Sequence, residues 1–286
     1  MGWTPTQDCN SDMTARAIVS FVKSSNGGIC RFRRRWTIIT ELILPSALSE
    51  SQRGSGCVYF RMLISEVFHS IQGEGRFTGE PSSFVRTSGC NLRCWFCDTP
   101  YTSWSAAGDE RTVGSLIAEV AAFECRHVVI TGGEPMLLPE LVPLTAELHR
   151  RDHFITIETA GTIYRKIHAD LMSISPKCSN STPTGTEWAS RHNQRRHQPD
   201  VIRNLIADYP YQFKFVIDAP SDIYEVQRYL TEFPEIDQSS VYLMPQGVEP
   251  ATLHEKQQWL ESEAAQLGWK VSPRKHIELY GNRPGT

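Results

Sequence analysis

From Met62 to the end of the chain, short stretches of strand character alternate with stretches of helical spacing, and this alternation limits the fold more than any other feature. Residues 63–68 and 82–87 alternate apolar and polar side chains as half-buried strands do. Over 112–123, Val113, Leu116, Ile117 and Val120 share one face of a 3.6-residue helix. A short apolar strand, 127–130, runs into Thr131-Gly132-Gly133 and is followed by a helix over 138–150. Strands over 154–157 and 171–174 precede a polar run, 178–199, that reads as a solvated loop or insertion with no role for His192, His197 or their neighbouring arginines. Beyond it come a helix (201–208), a strand (213–217), a helix (221–233), a strand (241–244), a helix (250–267) and a terminal strand (277–280). Such alternation predicts a parallel sheet with crossover helices. Five or six strand–helix units fit into residues 62–286, and a complete eight-fold barrel takes about 250 residues. The expected class is therefore α/β, as an incomplete barrel or an open doubly wound sheet.

Charge divides the chain at the point where this pattern begins. Residues 1–61 carry 8 basic and 4 acidic side chains, leaving 21 and 28 for residues 62–286, so a basic arm of +4 precedes an acidic body of −7. The arm holds the run Arg31-Phe32-Arg33-Arg34-Arg35-Trp36, lacks sustained periodicity, and is expected to be poorly ordered apart from one helix near 12–23. It reads as a targeting or tRNA-attracting arm, or as a solvated extension without function. The overall balance of −3 does not support a strongly basic nucleic-acid binder. No apolar run reaches the roughly 18 residues of a membrane span.

Three of the eight cysteines, Cys90, Cys94 and Cys97, fall within eight residues directly after the strand at 82–87. A long chain with no clear signal peptide suggests metal ligation rather than a disulfide framework. Three thiolates on one loop can hold three irons of a 4Fe–4S cube and leave the fourth open to exogenous chemistry. A zinc site would need a fourth ligand, and no second C-x2-C pair is present. Isolated Cys125 and Cys178 read as incidental or as small buried hydrophobes.

The C-x3-C-x2-C spacing, with Phe96 just before the last cysteine, resembles the radical S-adenosylmethionine superfamily. That resemblance implies a partial (β/α)6 barrel, a 4Fe–4S cluster on Cys90, Cys94 and Cys97, and S-adenosylmethionine chelated at the open iron and cleaved to a 5′-deoxyadenosyl radical. Gly132-Gly133-Glu134-Pro135, Glu158-Thr159 and Ser175-Pro176-Lys177 stand at successive strand ends and match further motifs. By resemblance, Phe96, Gly132, Gly133, Glu134, Glu158, Ser175 and Lys177 bind S-adenosylmethionine, with Gln246, after the strand at 241–244, a possible adenosine contact.

Within that superfamily, the segments Phe68-His69-Ser70-Ile71-Gln72-Gly73-Glu74-Gly75, Cys97-Asp98-Thr99 and 275–286 resemble the 7-carboxy-7-deazaguanine synthase family over the whole of 62–286. The family's substrate is 6-carboxy-5,6,7,8-tetrahydropterin, whose guanidine-like edge suits an ionised carboxylate and whose own carboxylate suits an arginine fork. The resemblance implies substrate contacts from Gln72, Gly73, Glu74, Arg86, Thr131 and His276, a Mg²⁺ ligand in Thr99, and a role for Thr286 if the terminal carboxylate enters the site. It further implies a homodimer, a reductant such as flavodoxin or ferredoxin, a cytoplasmic setting, and no requirement for nucleic acid or membrane. Lys214, inside a strand, reads equally as a snorkelling lysine or as a site residue. A glycyl-radical-enzyme activase and a non-catalytic zinc- or tRNA-binding protein are the competing readings.

Overall fold

Strand β1 (Arg61–Ile71) buries Met62, Ile64 and Phe68 and pairs antiparallel with both β2 (Pro81–Thr87) and β3 (Asp109–Thr112). A computed structural model of the chain describes residues 61–286; the helix expected near 12–23 lies outside them. From β2 onward every pairing is parallel, through β4 (His127–Gly132), β5 (Phe154–Thr159), β6 (Leu171–Ile174), β7 (Tyr211–Ile217), β8 (Val241–Pro245) and β9 (Lys270–Val271). The order β3-β1-β2-β4-β5-β6-β7-β8-β9 leaves β3 and β9 at free edges, so the sheet is open and the expected partial barrel is present. Strands β6 and β8 are buried along their full length, which is why their sequences run apolar instead of alternating.

Helices complete the units. The short α1 (Pro100–Ser103) follows the cysteine loop. The amphipathic α2 (Val113–Ala122) buries Leu116, Ile117 and Val120, and α3 (Leu141–Arg150) buries Leu141, Leu144 and Leu148. Thr112 caps α2 by accepting from the Ser115 amide at 3.1 Å, one of the four donors a helix start leaves unpaired. After α4 (Trp188–Arg195) and α5 (Pro199–Asp208), α6 (Asp222–Glu232) covers β7, α7 (Pro250–Leu267) covers β8 and β9, and α8 (Lys275–Tyr280) ends the chain.

Two expectations are corrected here. Residues 277–280 are the last four of the six residues of α8, not a strand; four residues with one buried side chain, Ile277, carry too little periodicity to separate the two. The run 178–199 is not a plain solvated loop, because it contains α4, whose His192 is 1% exposed.

The segment after β1 closes the interior of the open sheet. Phe77 stacks edge-on against His127 and Phe154, the first residues of β4 and β5, each at 5.1 Å between centroids. The Gly75 amide donates to Ser272 Oγ at 2.8 Å, and the Lys275 amide to the Gly73 carbonyl at 2.9 Å. Chain from the β1 side thus meets chain from the β9 side where the strands themselves do not pair. At Gly73 a Cβ would fall 1.9 Å from His276 Nδ1, so only glycine lets these two segments touch.

Candidate active site

Residues at the C-terminal ends of the parallel strands converge on one pocket of about 1470 Å³, open mouth included. Loops at this end of a parallel sheet are free to carry polar groups, because the strands beneath supply the rigid scaffold. The pocket has two walls of different character.

One wall is the cysteine loop after β2. Cys90, Cys94 and Cys97 are free thiols, and all three line the pocket. The Leu92 amide donates to Cys90 Sγ at 3.4 Å, and Ser103 Oγ stands 3.2 Å from Cys97 Sγ. Burial pushes the Cys90 thiol up to about 11 and the Cys94 thiol to about 12. The Gly133 amide donates to the Thr87 carbonyl at 3.0 Å and the Glu134 amide to the Gly89 carbonyl at 2.9 Å, locking the Gly-Gly turn against this loop. A Cβ on Gly133 would lie 2.0 Å from the Gly89 oxygen, so the turn needs glycine for backbone contact within the protein. On its outer side the loop is braced by α4. The Arg93 amide donates to His192 Nδ1 at 3.1 Å, and His192 Nε2 meets Ser181 Oγ at 2.9 Å. Burial pulls His192 down to about 4, so the ring is neutral at neutral pH, an acceptor at Nδ1 and a donor at Nε2.

The other wall is a nest of ion pairs around two buried cations, Lys214 and Arg274. Glu74 accepts from Lys214 at 2.7 Å and from Arg274 at 3.3 Å. Arg274 also donates to Asp98, directly after the last cysteine. Lys214, 3% exposed, reaches Glu158 at 3.3 Å, and Glu158 accepts in turn from Gln72 (3.3 Å) and Thr131 (2.8 Å). Burial by itself would raise the Glu74 carboxyl, but Lys214 and Arg274 beside it hold it far below the usual carboxylate range. Asp98 is lowered likewise: burial would raise it, but Arg274, together with Arg86 and His276, more than offsets this, and burial lowers His276.

The chain matches the radical SAM superfamily over residues 84–209. It is similar to 7-carboxy-7-deazaguanine synthase of Halobacterium salinarum, at 42% identity over 78% of this chain and 92% of that protein. Its likeness to the same-named protein of Rhodopirellula baltica is 43%, over 79% and 89% of the two chains. The chain belongs to the 7-carboxy-7-deazaguanine synthase family. The crystal structure of QueE from Escherichia coli shares the fold, with a TM-score of 0.55 and 24% identity over 76% of this chain and 95% of that one.

Family membership implies S-adenosylmethionine and a 4Fe–4S cluster, and the donor set fits the latter. Three cysteines line one pocket wall, yet among the described residues no three Cys, His, Asp or Glu side chains converge closely enough for a single metal ion. Thiols spread in this way suit a cluster, where each sulfur takes a different iron, better than one zinc.

Of the remaining residues expected in this synthase family's site, Gln72, Gly73, Glu74, Arg86, Phe96, Thr99, Thr131, Gly132, Gly133, Glu158, Ser175, Lys177, Gln246, His276 and Thr286 all line the pocket. Glu134 does not. Its carboxylate is fully buried and accepts from Thr159 Oγ1 (2.7 Å), the Ala160 amide (2.8 Å) and the Met136 amide (3.1 Å), tying the end of β4 to the end of β5. Glu158, expected with the cofactor set, sits on the ion-pair wall. Lys177 donates to Ser175 Oγ at 2.7 Å, and Gln246 accepts from Lys256 at 3.1 Å. Arg86 faces Glu66 at 3.6 Å, and Thr99 Oγ1 lies 3.2 Å from Thr102 Oγ1. The Gly285 amide donates to Glu66 at 2.7 Å, which brings the chain end beside Arg86. Sequence reasoning missed Arg274 and Asp98 and left Lys214 undecided. A lysine inside an apolar strand was the one available signal, since an unpaired buried ammonium is prohibitively costly.

Proposed function

We propose that the chain converts 6-carboxy-5,6,7,8-tetrahydropterin to 7-carboxy-7-deazaguanine with release of ammonia. The observation that carries this reading is the meeting, in one pocket, of a three-cysteine loop with a pre-ionised wall of Glu74, Glu158, Lys214 and Arg274. The reaction is redox-neutral: the substrate formula minus ammonia is the product formula, so a hydrogen removed from C6 must be returned after the ring contracts. Cys90, Cys94 and Cys97 hold the cluster, and the cluster with S-adenosylmethionine supplies the hydrogen-abstracting radical when bound. Gly132, Gly133, Phe96, Ser175, Lys177 and Gln246 face that cofactor.

On the opposite wall, Glu74 and Glu158 present ionised oxygens to the donor edge of the pterin. Lys214 and Arg274 keep Glu74 ionised, and Lys214 also holds Glu158 in place. Arg86 receives the substrate carboxylate by exchanging its loose pairing with Glu66 for a bidentate fork. Burial lowers His276, which leaves a neutral imidazole able to donate one hydrogen bond or accept one. Thr99 would contribute a hydroxyl to Mg²⁺, a hard cation that takes oxygen ligands. Residues 62–286 form the catalytic unit and 1–61 an extension that turnover does not need. The enzyme works as a homodimer in a reducing cytoplasm, with a flavodoxin or ferredoxin as reductant. Among the described residues no helix is long and apolar enough to cross a membrane.

The test is anaerobic incubation of the reduced, iron-loaded protein with carboxytetrahydropterin and S-adenosylmethionine. Stoichiometric 7-carboxy-7-deazaguanine and ammonia are expected. Cleavage of S-adenosylmethionine without any deazapurine would overturn the substrate assignment.

A further inference from the structure

The β1–β2 ladder has one irregularity, and it lies beside the pocket. Ile64 stands opposite Thr87 but Glu66 opposite Arg86, so Ser65 is an extra residue, a bulge in β1. With regular pairing Ser65 would face Arg86. The bulge is packed from outside: Ser65 Oγ donates to the Ala107 carbonyl at 3.1 Å, and a Cβ on Gly108 would fall 2.4 Å from the Ile64 oxygen. Its effect is to set a carboxylate on the same face as Arg86, because directly opposed residues of an antiparallel pair project together. The result is a slack ion pair. Arg86 Nε and Glu66 Oε1 are 3.6 Å apart, and each side chain is only 15% exposed. Both atoms are buried, and neither has a hydrogen-bond partner among the described residues. At that distance the attraction is Coulombic alone. Buried polar atoms are almost always hydrogen-bonded, so two orphans facing each other call for an explanation.

The surroundings of the pair are well ordered. The Arg86 guanidinium carbon lies 5.4 Å from the Phe68 ring centroid, and Glu66 Oε2 accepts from the Gly285 amide at 2.7 Å. The Tyr101 hydroxyl also lies beside Glu66; burial first, and then this carboxylate, raise it. Arg86, Tyr101 and Thr286 line the pocket, whereas Glu66 stands behind them. Arginine is always charged, so an empty pocket has to give Arg86 a counter-charge. A carboxylate bonded through both donors of the guanidinium fork would hold it against any ligand. A slack partner compensates the charge and can be given up. We propose that Glu66 is a positioning residue, the resident counter-anion of Arg86, which the carboxylate of the incoming substrate displaces. The proposal rests on the reading of Arg86 as the fork for that carboxylate. Glu66 is not stranded by the exchange, because the Gly285 amide and the Tyr101 hydroxyl remain beside it. The arrangement trades affinity for a stable empty pocket: part of the attraction between Arg86 and the substrate is used to release Glu66.

The experiment uses the full chain, loaded with iron and sulfide and kept anaerobic with S-adenosylmethionine but no reductant, so that nothing turns over. Calorimetry gives the affinities of two probes, 6-carboxy-5,6,7,8-tetrahydropterin and the same tetrahydropterin without its carboxyl group. Glu66→Gln keeps the shape and an acceptor for the Gly285 amide but removes the competing charge. It is expected to bind the carboxylated pterin about tenfold more tightly than wild type, to leave the carboxyl-free pterin unchanged, and to lower the urea midpoint of the empty protein. Arg86→Ala should weaken the carboxylated pterin about 100-fold, and in that background Glu66→Gln should bring no gain, because the two residues act in one exchange. A merely structural Glu66 would weaken both pterins when replaced. Unchanged or weaker binding of the carboxylated pterin by Glu66→Gln therefore overturns the proposal. So does a gain that persists without Arg86, which would make Glu66 a simple repulsive charge. If Glu66→Gln tightens the carboxylated pterin through Arg86, yet the reduced wild-type protein makes no deazapurine, the substrate reading fails and the exchange stands. If wild type makes deazapurine and Glu66→Gln changes nothing, the exchange alone fails.

Discussion

The two walls of the pocket are built on opposite electrostatic plans. On the cysteine wall burial pushes the Cys90 and Cys94 thiols up, and the brace, His192 between the Arg93 amide and Ser181, is uncharged. The facing wall is built of ion pairs, with Glu74, Glu158 and Asp98 held by Lys214 and Arg274 at contact distance. On the proposed function, the contrast follows from what each wall would receive. A cluster brings its own positive charge and drives the thiols to thiolates, so the protein needs only geometry there. A heterocycle with a polar edge brings no net charge at that edge, so the protein must hold ionised acceptors ready and offset their desolvation beforehand.

The comparison breaks most sharply at Cys94. Cys94→Ala should abolish cluster assembly and all turnover; iron and sulfide analysis of anaerobically purified protein that still finds four of each would refute the assignment. On the ionised wall the largest effect is expected from Lys214→Met, which leaves Glu158 without a cation and Glu74 with Arg274 alone. Breaking a buried pair from one side costs about 3–5 kcal/mol, measurable as a lowered urea midpoint at unchanged slope. The milder Glu74→Gln keeps the shape and removes the charge. It should cut kcat/KM for the pterin about 100-fold, the order lost with one bond to a charged group, with iron content untouched; normal kinetics would place the substrate elsewhere.

The cysteine wall makes a smaller, pH-dependent prediction. His192 is lowered from its ordinary value to about 4 in the fold. Between about pH 6.5, the unfolded value, and 4 the unfolded chain binds the extra proton, so stability falls as pH falls through that window and levels off above it. His192→Asn, which keeps an acceptor for the Arg93 amide, should flatten this limb. His192→Leu should also lose about 1–3 kcal/mol from the orphaned amide and release iron faster. An identical pH profile in all three proteins would remove His192 from the brace.

Legibility in the sequence followed distance along the chain. The cysteine spacing, the Gly-Gly turn and the Glu158 and Lys177 positions are local patterns at strand ends, and they were readable because each strand announces itself by apolar runs. Arg274 was not readable, because its partners Glu74 and Asp98 lie 200 and 176 residues away. The helix α4 was hidden by its polarity: it turns only His192 fully inward, and one buried side chain in eight residues leaves no periodic signal. The edge strands β3 and β9, four and two residues long, were missed for the same reason.

By itself the sequence determined the alternating α/β architecture, the three-thiol loop and the family, since each depends on short-range periodicity or spacing. The tertiary structure alone decided which carboxylates are ionised and compensated, that Glu134 ties two strands together instead of facing the pocket, and that a bulge in β1 sets Glu66 opposite Arg86. The reason is physical. Periodicity is a property of neighbours in the chain, whereas the state of a charge depends on burial and on partners that only folding brings within a few ångströms.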